Sequence, residues 1–243
     1  MRILAAVYGL VCYGIFLAAF LYAVGFVGNL VVPRSIDHAI AAPLGEALAW
    51  DILLLGVFAV QHSVMARPAF KRLWTRVTPV AVERSTYVLF SSLALILLYW
   101  QWREIPAPVW TATAPAAVLA LQALFWAGWG LVLVSTFLIS HFELFGLRQV
   151  WLTLRRRPFP DPAFSTPFLY AFVRHPIYLG FILAFWATPA MTVGHLLFAA
   201  ATTAYILIAI QLEERDLIAT FGDTYVGYRR RVSMLIPMPP RAP

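Results

Sequence analysis

Five long apolar stretches limit what this chain can fold into. They cover residues 3–28, 47–66, 85–102, 116–140 and 195–212, and within them only Asp51 carries a formal charge. A helix of about 20 apolar residues crosses the roughly 30 Å hydrocarbon core of a bilayer. A mean hydropathy of +0.79 and a hydrophobic share of 62% are too high for a soluble domain of 243 residues. We therefore predict an all-α, polytopic transmembrane helical bundle with five to six membrane helices.

The first stretch has a second interpretation, a cleaved signal peptide, because Arg2 precedes it. Its apolar region is too long for that role and lacks a convincing small-residue cleavage site, so we interpret it as a retained span. The single cysteine, Cys12, lies inside this span. One cysteine allows no disulfide within the chain and no cysteine-based metal cluster, and we predict no metal site.

The basic residues indicate an orientation. If residues 168–191 supply a sixth crossing, all of the 18 Lys and Arg residues except Arg34 and Arg103 fall on one side. The positive-inside rule then places both termini and the second and fourth loops in the cytoplasm. The net charge of +7 is therefore a topology signal. We predict no nucleic-acid partner, because no basic domain stands apart from the membrane.

The crossing at residues 168–191 is the shortest. Residues 177–188 alone would rise about 18 Å as a helix, which suits half of a short hairpin. Pro189, Thr192 and Gly194 mark the turn before the last span. The Pro-rich residues 238–243 form a predicted flexible tail.

A polar cluster is predicted where this hairpin meets the cytoplasm. Pro176 suits the first position of a helix, which places His175 at the helix N-terminus and Tyr178 on the same face. Backbone N–H groups there favour an anionic group. The last span ends in four charged residues, 213–216, which return to the face that holds Arg174. This arrangement suits a ligand with both a carboxylate and an ammonium group, whereas ordinary interfacial anchoring explains the same spacing without any ligand.

Two separated motifs in residues 170–237 carry a resemblance to a known family. The motifs are Arg174-His175-Pro176-x-Tyr178-x-Gly180 and Glu213-Glu214-x-x-Leu217-x-x-x-Phe221-Gly222-x-x-Tyr225-x-x-Tyr228. They resemble the isoprenylcysteine carboxyl methyltransferase family of membrane enzymes. The resemblance implies a C-terminal helical hairpin and a cytoplasmic pocket for S-adenosylmethionine, roofed by the C-terminal segment. Its cofactor contacts would be Gln149, Tyr170, Arg174, His175, Pro176, Ile177, Tyr178 and Glu213, with Arg174 bordering the pocket and facing Glu213.

One departure from the family bears on the methyl acceptor. Carboxyl-methylating members have an arginine four residues before the cofactor glutamate, and this chain has Ala209 there. A carboxylate acceptor would lose its charged partner, which is costly in a buried site. The departure favours an acceptor that needs no such arginine.

Three further motifs resemble bacterial methanethiol S-methyltransferases. They cover residues 61–68, 83–90 and 141–149, namely Gln-His-Ser-Val-Met-Ala-Arg-Pro, Glu-Arg-Ser-Thr-Tyr-Val-Leu-Phe and His-Phe-Glu-Leu-Phe-Gly-Leu-Arg-Gln. This likeness implies a multi-pass protein of the bacterial inner membrane that methylates methanethiol, a small thiol, to dimethyl sulfide. We predict membrane helices in residues 1–140, the cofactor region in residues 141–237 and the tail in residues 238–243.

A thiol with a pKa near 8.5 must lose its proton before it attacks a methyl group. His62, near the cytoplasmic end of the second span, is our candidate base, with Arg84 and Tyr87 as candidate catalytic residues that orient it. Packing or hydrogen bonding is the alternative role for such a histidine.

Two other functions remain open. One is methylation of a lipidic acceptor, such as a prenylcysteine or an amine headgroup. The other is a non-enzymatic transport or haem-binding subunit, with His62, His141 and His175 as candidate haem ligands. Membrane lipids are the only other partner predicted, and the sequence fixes no oligomeric state.

Overall fold

The computed structural model describes residues 1–160 and 163–240. The last three residues of the predicted tail, including Arg241, lie outside the described residues. The chain forms ten α-helices within that part: α1 (Arg2–Gly28), α2 (Leu44–Ala66), α3 (Pro68–Trp74), α4 (Val80–Gln101), α5 (Pro115–Ile139), α6 (His141–Leu144), α7 (Leu147–Leu154), α8 (Pro176–Trp186), α9 (Val193–Phe221) and α10 (Asp223–Arg231). A short 3-10 helix covers Phe168–Ala171.

Five of these helices, α1, α2, α4, α5 and α9, are long and apolar enough to cross a membrane, which confirms the predicted polytopic helical bundle. Each covers one of the five apolar stretches to within one residue. The largest difference is in α9, which continues to Phe221 although its apolar stretch ends at Leu212. Glu, Arg and Leu are good helix formers, so the charged residues after Leu212 extend the helix beyond the apolar core.

Short strands, which hydropathy does not reveal, lie in the connections between the long helices. β1 (Ile40–Ala41) pairs in parallel with β2 (Arg103–Glu104). Beyond it, β3 covers Pro108–Thr111 and β4 covers Ala190–Thr192. Asp51 anchors the first pair, because its Oδ1 accepts a hydrogen bond of 2.9 Å from the backbone N–H of Arg103. Asp51 is fully buried.

The chain divides into two compact units that alternate along the sequence. The first unit comprises Met1–Val109, His141–Pro160 and Met191–Phe198, and the second comprises Trp110–Ser140, Asp161–Ala190 and Ala199–Pro243. In the first unit, α1 packs against α4 and α7, and α2 packs against α4. The predicted functional boundary at residue 140 remains a prediction.

In the second unit, α8 packs closely against α5. A Cβ atom on Gly128 would lie 2.6 Å from the backbone nitrogen of Ala184 and 2.7 Å from the carbonyl oxygen of Gly180. The two glycines therefore allow a backbone approach that larger side chains would prevent.

The segment around α8 runs along nearly the whole of α5, although α8 itself has only 11 residues. Tyr170, before α8, donates a hydrogen bond of 3.3 Å to the carbonyl oxygen of Ser135 near the end of α5. Beyond α8, the carbonyl oxygen of Thr188 accepts a bond of 3.2 Å from the indole N–H of Trp110, which precedes α5. Non-helical flanks thus supply the length that a helix of about 16 Å lacks.

Candidate functional site

The predicted polar cluster forms in the second unit, at the N-terminus of α8. Pro176 is the first residue of α8 and His175 is its N-cap, as the proline predicted. The C-terminal segment lies beside them: the backbone N–H of Arg174 donates to the carbonyl oxygen of Ser233 over 2.9 Å, and that of His175 donates to Met234 over 3.2 Å. The end of the chain is therefore held at the residues that begin α8.

Glu214 is the centre of this cluster and is only 3% exposed. Its Oε1 accepts a hydrogen bond of 2.7 Å from Nε of Arg174 and one of 3.1 Å from Nε2 of His175. Its Oε2 lies 3.7 Å from Nη1 of Arg229. Since a carboxylate only accepts, Nε2 of His175 carries a proton. Arg174 was expected to face Glu213, but in the structure it pairs with Glu214.

Glu213 points elsewhere, because consecutive residues of a helix are rotated by about 100°. Its Oε2 accepts a hydrogen bond of 2.8 Å from the hydroxyl of Tyr178. The ring of Tyr178 lies 5.6 Å from the ring of His175, which confirms that the two share a face. Glu213 is only partly buried. Its carboxylate can accept further hydrogen bonds.

Arg174 also holds the C-terminal segment. Its Nη1 donates to the carbonyl oxygens of Arg229, over 3.0 Å, and Val232. Together with the bond from Nε to Glu214, these bonds use Nε and Nη1 of the guanidinium group, and Nη2 takes part in none of the three.

Two buried tyrosines complete the cluster. The hydroxyl of Tyr228 donates to the carbonyl oxygen of Tyr170 over 2.6 Å, and Tyr170 in turn bonds to Ser135. Burial raises the pKa of Tyr228 to about 12, despite the opposing effect of Arg174. Burial also raises the pKa of Tyr170, and the charge of Glu213 adds to the effect. Both hydroxyls therefore stay protonated and act as donors near neutral pH.

The candidate base lies in the first unit. His62 Nδ1 is 3.1 Å from Oγ of Ser91, and its Nε2 is 2.9 Å from the hydroxyl of Tyr87, which also lies 3.1 Å from Nδ1. Phe58 stacks on the imidazole with ring centroids 5.2 Å apart. The structure thus brings together two of the three predicted catalytic side chains, His62 and Tyr87.

The hydrogen bonds around Ser91 assign the tautomer of His62. Ser91 Oγ donates its single hydrogen to the carbonyl oxygen of Tyr87 over 3.0 Å. Ser91 must therefore accept from His62, which places the imidazole proton on Nδ1. Nε2 then keeps its lone pair and is the ring nitrogen closer to the hydroxyl of Tyr87.

Arg84 lies beside this pair without touching His62. Its Nε donates to the carbonyl oxygen of Leu144 over 2.7 Å, and its guanidinium carbon is 4.9 Å from the centre of the Tyr87 ring. Gln149, the remaining predicted cofactor contact, also belongs to the first unit. Its amide nitrogen donates to the carbonyl oxygen of Glu143 over 3.3 Å, while its buried Oε1 has no partner among the described residues.

Sequence reasoning assigned no role to Glu214 or Ser91. Two adjacent glutamates end the apolar part of α9, and no pattern in the sequence distinguishes the buried one from its half-buried neighbour. Ser91 follows Tyr87 by four residues, one helical turn, and that spacing was the only available signal. In the described part of the chain, no group of three His, Cys, Asp or Glu side chains could hold a metal ion.

The fold and these clusters define a polytopic α-helical membrane protein with a polar site at the first charged turn of its last long helix. Over 240 residues the chain is 62% identical to a methanethiol S-methyltransferase of Mycobacterium tuberculosis, covering 99% of this chain and 98% of that protein. It is 58% identical to methanethiol S-methyltransferase 2 of Bradyrhizobium diazoefficiens, covering 97% and 91%. The chain belongs to the methanethiol S-methyltransferase family, which confirms the resemblance seen in its motifs.

A more divergent relative is Nurim of Rattus norvegicus, which is 31% identical over 183 residues, or 70% of this chain and 68% of Nurim. No protein-family model and no solved structure matches the chain.

Proposed function

We propose that this protein is an integral membrane enzyme that transfers a methyl group from S-adenosylmethionine to methanethiol and releases dimethyl sulfide. The family supports a thiol S-methyltransferase. The observation that carries the choice of cofactor is the difference between the two adjacent glutamates. Glu214 is buried and bonded to Arg174 and His175, whereas Glu213 is half-buried and accepts a hydrogen bond from Tyr178.

The residues present fit an aminoacyl nucleoside. Glu213 keeps acceptor capacity for a ribose hydroxyl or an ammonium group. The first turn of α8, which begins at Pro176 and Ile177, favours a carboxylate, because the backbone N–H groups of a first helical turn point out of the helix. The contact expected of Gln149, in the first unit, stays a prediction from the resemblance. Arg174 and His175 would act mainly through Glu214, by fixing the start of α8.

When bound, the cofactor supplies an electrophilic methyl group on a sulfonium sulfur. The thiolate sulfur forms the new carbon–sulfur bond as the bond from the methyl group to the sulfonium breaks, and the electron pair of that bond stays with the departing thioether. Two opposite charges are neutralised in this step. A water-poor site surrounded by apolar helices favours such a reaction, because the charged reactants lose more solvation than the transition state.

His62 would take the proton of the thiol. Nε2 holds the lone pair, and the hydroxyl of Tyr87 lies 2.9 Å from it. A proton leaving the thiol would therefore pass to Tyr87 as the tyrosine hydrogen passes to Nε2. Ser91 keeps the lone pair on that nitrogen by accepting from Nδ1, and Arg84 places a positive charge over the face of the Tyr87 ring.

The orientation of the protein is also part of the proposal. The excess of Lys and Arg in alternate loops supports cytoplasmic termini in a bacterial inner membrane. The polar cluster at the N-terminus of α8 would then face the cytoplasm, where S-adenosylmethionine is made.

A headspace assay tests the reaction. Purified full-length protein with S-adenosylmethionine and methanethiol is expected to release dimethyl sulfide, and lipid thiols or amines offered in competition should accept no methyl group. If the protein binds S-adenosylhomocysteine but forms no dimethyl sulfide, the assigned acceptor is wrong. If it binds no S-adenosylhomocysteine, the assigned cofactor is wrong.

A further inference from the structure

A cavity of about 300 Å³ beside the C-terminal segment has a strongly basic wall. Four arginines line it, namely Arg174, Arg229, Arg230 and Arg231. None of the described residues that line it is acidic. Glu214, the carboxylate that pairs with Arg174 and Arg229, stands outside the lining and is already bonded twice. The cavity therefore keeps a large excess of positive charge.

The rest of the lining is mostly apolar. It consists of Val232, Met234, Met238 and Pro239, together with Ser233, and all of these residues follow α10. The backbone N–H of Met238 donates to the carbonyl oxygen of Phe172 over 3.4 Å and holds this segment in place. A free inorganic anion would gain nothing from this apolar wall, whereas an amphiphile would use both sides.

The position of the cavity along α9 indicates where it lies relative to the membrane. Residues 193–212 contain no Lys, Arg, Asp or Glu, and these 20 residues rise about 30 Å, the thickness of the hydrocarbon core. Glu214 comes two residues later. Since Arg174 and Arg229 contact Glu214 at 2.7 and 3.7 Å, the basic wall stands at the level of the lipid headgroups.

We propose that this cavity binds the phosphate of an anionic phospholipid, with its glycerol and first acyl carbons against the apolar wall. The proposal does not depend on the proposed transfer of a methyl group, and Arg174 is the one lining residue that is also a predicted contact of the cofactor. Clustered arginines at the cytoplasmic interface attract anionic lipids by roughly 1 kcal/mol for each charge, and Arg can also grip a phosphate with two parallel hydrogen bonds. Bound lipid would fasten the C-terminal segment to the membrane surface.

The test uses the full-length protein in neutral detergent, titrated with short-chain phosphatidylglycerol or phosphatidylcholine and followed by native mass spectrometry. We expect tighter binding of phosphatidylglycerol. In the variant Arg230→Gln/Arg231→Gln, the affinity of the protein for phosphatidylglycerol should fall about thirtyfold, because two positive charges are removed. The matched control is Arg156→Gln/Arg157→Gln, which removes the same charge from exposed residues that do not line the cavity and should bind like the unaltered protein.

Three results would overturn the proposal: equal binding of the two lipids, equal affinities in the two double variants, or displacement of phosphatidylglycerol by an equal concentration of inorganic phosphate. The last result would identify a site for free anions. If the variant Arg230→Gln/Arg231→Gln aggregates, the single variant Arg230→Gln gives the same comparison, with an expected loss of affinity of about fivefold. Arg230→Lys/Arg231→Lys keeps the charge and should recover most of the affinity.

Discussion

Arg174 and Glu214, which are 40 residues apart in the chain, form a hydrogen-bonded ion pair of 2.7 Å with side-chain exposures of 10% and 4%. The pair joins the segment before α8 to the first charged residues of α9. His175 shares the same carboxylate oxygen, and Arg174 extends to the carbonyl oxygens of the C-terminal segment. One carboxylate thus fixes three parts of the second unit, and this has consequences that substitutions can measure.

Glu214→Gln should destabilise the protein. The substitution leaves the buried charge of Arg174 without its partner, which typically costs about 3 kcal/mol or more. We expect a clear fall in the midpoint of thermal unfolding in detergent. The matched control is Glu213→Gln, one residue away, which spares the ion pair and should unfold near the temperature of the unaltered protein. Equal midpoints for the two variants would show that the pair is not structural.

In cofactor binding, Glu213→Gln should be the more strongly affected of the same two variants. Glu213→Gln removes the charge that we assign to the cofactor, and loss of a charged hydrogen bond typically costs about 2 kcal/mol, or roughly thirtyfold in affinity. Calorimetric titration with S-adenosylhomocysteine measures this loss. Unchanged affinity in a folded Glu213→Gln protein would remove Glu213 from the site.

Ser91→Ala tests the assigned tautomer of His62. Without an acceptor at Nδ1, the proton of the imidazole is free to move to Nε2, and the base is lost in part of the molecules. We expect kcat to fall roughly tenfold with the KM for S-adenosylmethionine unchanged, and His62→Ala to lower kcat by about 10²-fold or more.

Ser92→Ala is the control for Ser91→Ala. Ser92 is also buried, and its hydroxyl donates to the carbonyl oxygen of Val88 in the preceding turn, over 2.8 Å. Rates of dimethyl sulfide formation should therefore be near normal in this variant. If both serine variants lose activity to the same extent, the effect of Ser91 is one of packing.

Gly128→Ala should loosen α8 from α5, because the new Cβ atom would meet backbone atoms of α8 at 2.6 and 2.7 Å. Backbone atoms move less easily than side chains, so we expect a loss of about 2 kcal/mol. Gly130→Ala is the matched control, since a Cβ atom there meets nothing within 4 Å. Thermal unfolding of the two variants makes the comparison, and a stable Gly128→Ala protein would contradict the close packing.

Asp37, outside the spans, should make the first unit sensitive to acid. Burial opposes its charge, but the neighbouring imidazole of His195, 3.9 Å away, and hydrogen bonds from Thr192 and Asn29 outweigh burial and lower the pKa of its carboxyl. A lowered folded-state pKa stabilises the protein above the ordinary value near 3.8, and this contribution is lost as the pH falls through the folded value. Unfolding midpoints between pH 6 and pH 3 should show the loss.

Asp37→Asn should reduce that dependence on pH and lower stability at neutral pH by about 1.5 kcal/mol. Asp223→Asn, at an exposed carboxyl, is the control and should leave the acid slope unchanged. An acid slope that persists in Asp37→Asn would assign the effect to other groups.

The sequence by itself determined the class of fold. Five uncharged or nearly uncharged stretches of 18 or more residues have no stable place except within a bilayer or a very large core, and Pro176 located the start of α8 because proline lacks the N–H group that a helix interior needs. Motifs in residues 61–68, 83–90 and 170–237 also indicated the family. These are local properties, which hydropathy, backbone geometry and residue identity carry without tertiary structure.

Only the tertiary structure decided which neighbours these residues have. It buried Glu214 and left Glu213 half-buried, paired Arg174 with the first of these, and set Ser91 against His62. It also showed that the chain around α8 runs along α5, although α8 itself has only 11 residues. Gly128 and Gly180 permit the close packing of these two helices. Such relations depend on side-chain direction and on contacts between residues far apart in the chain, which periodicity and spacing do not record.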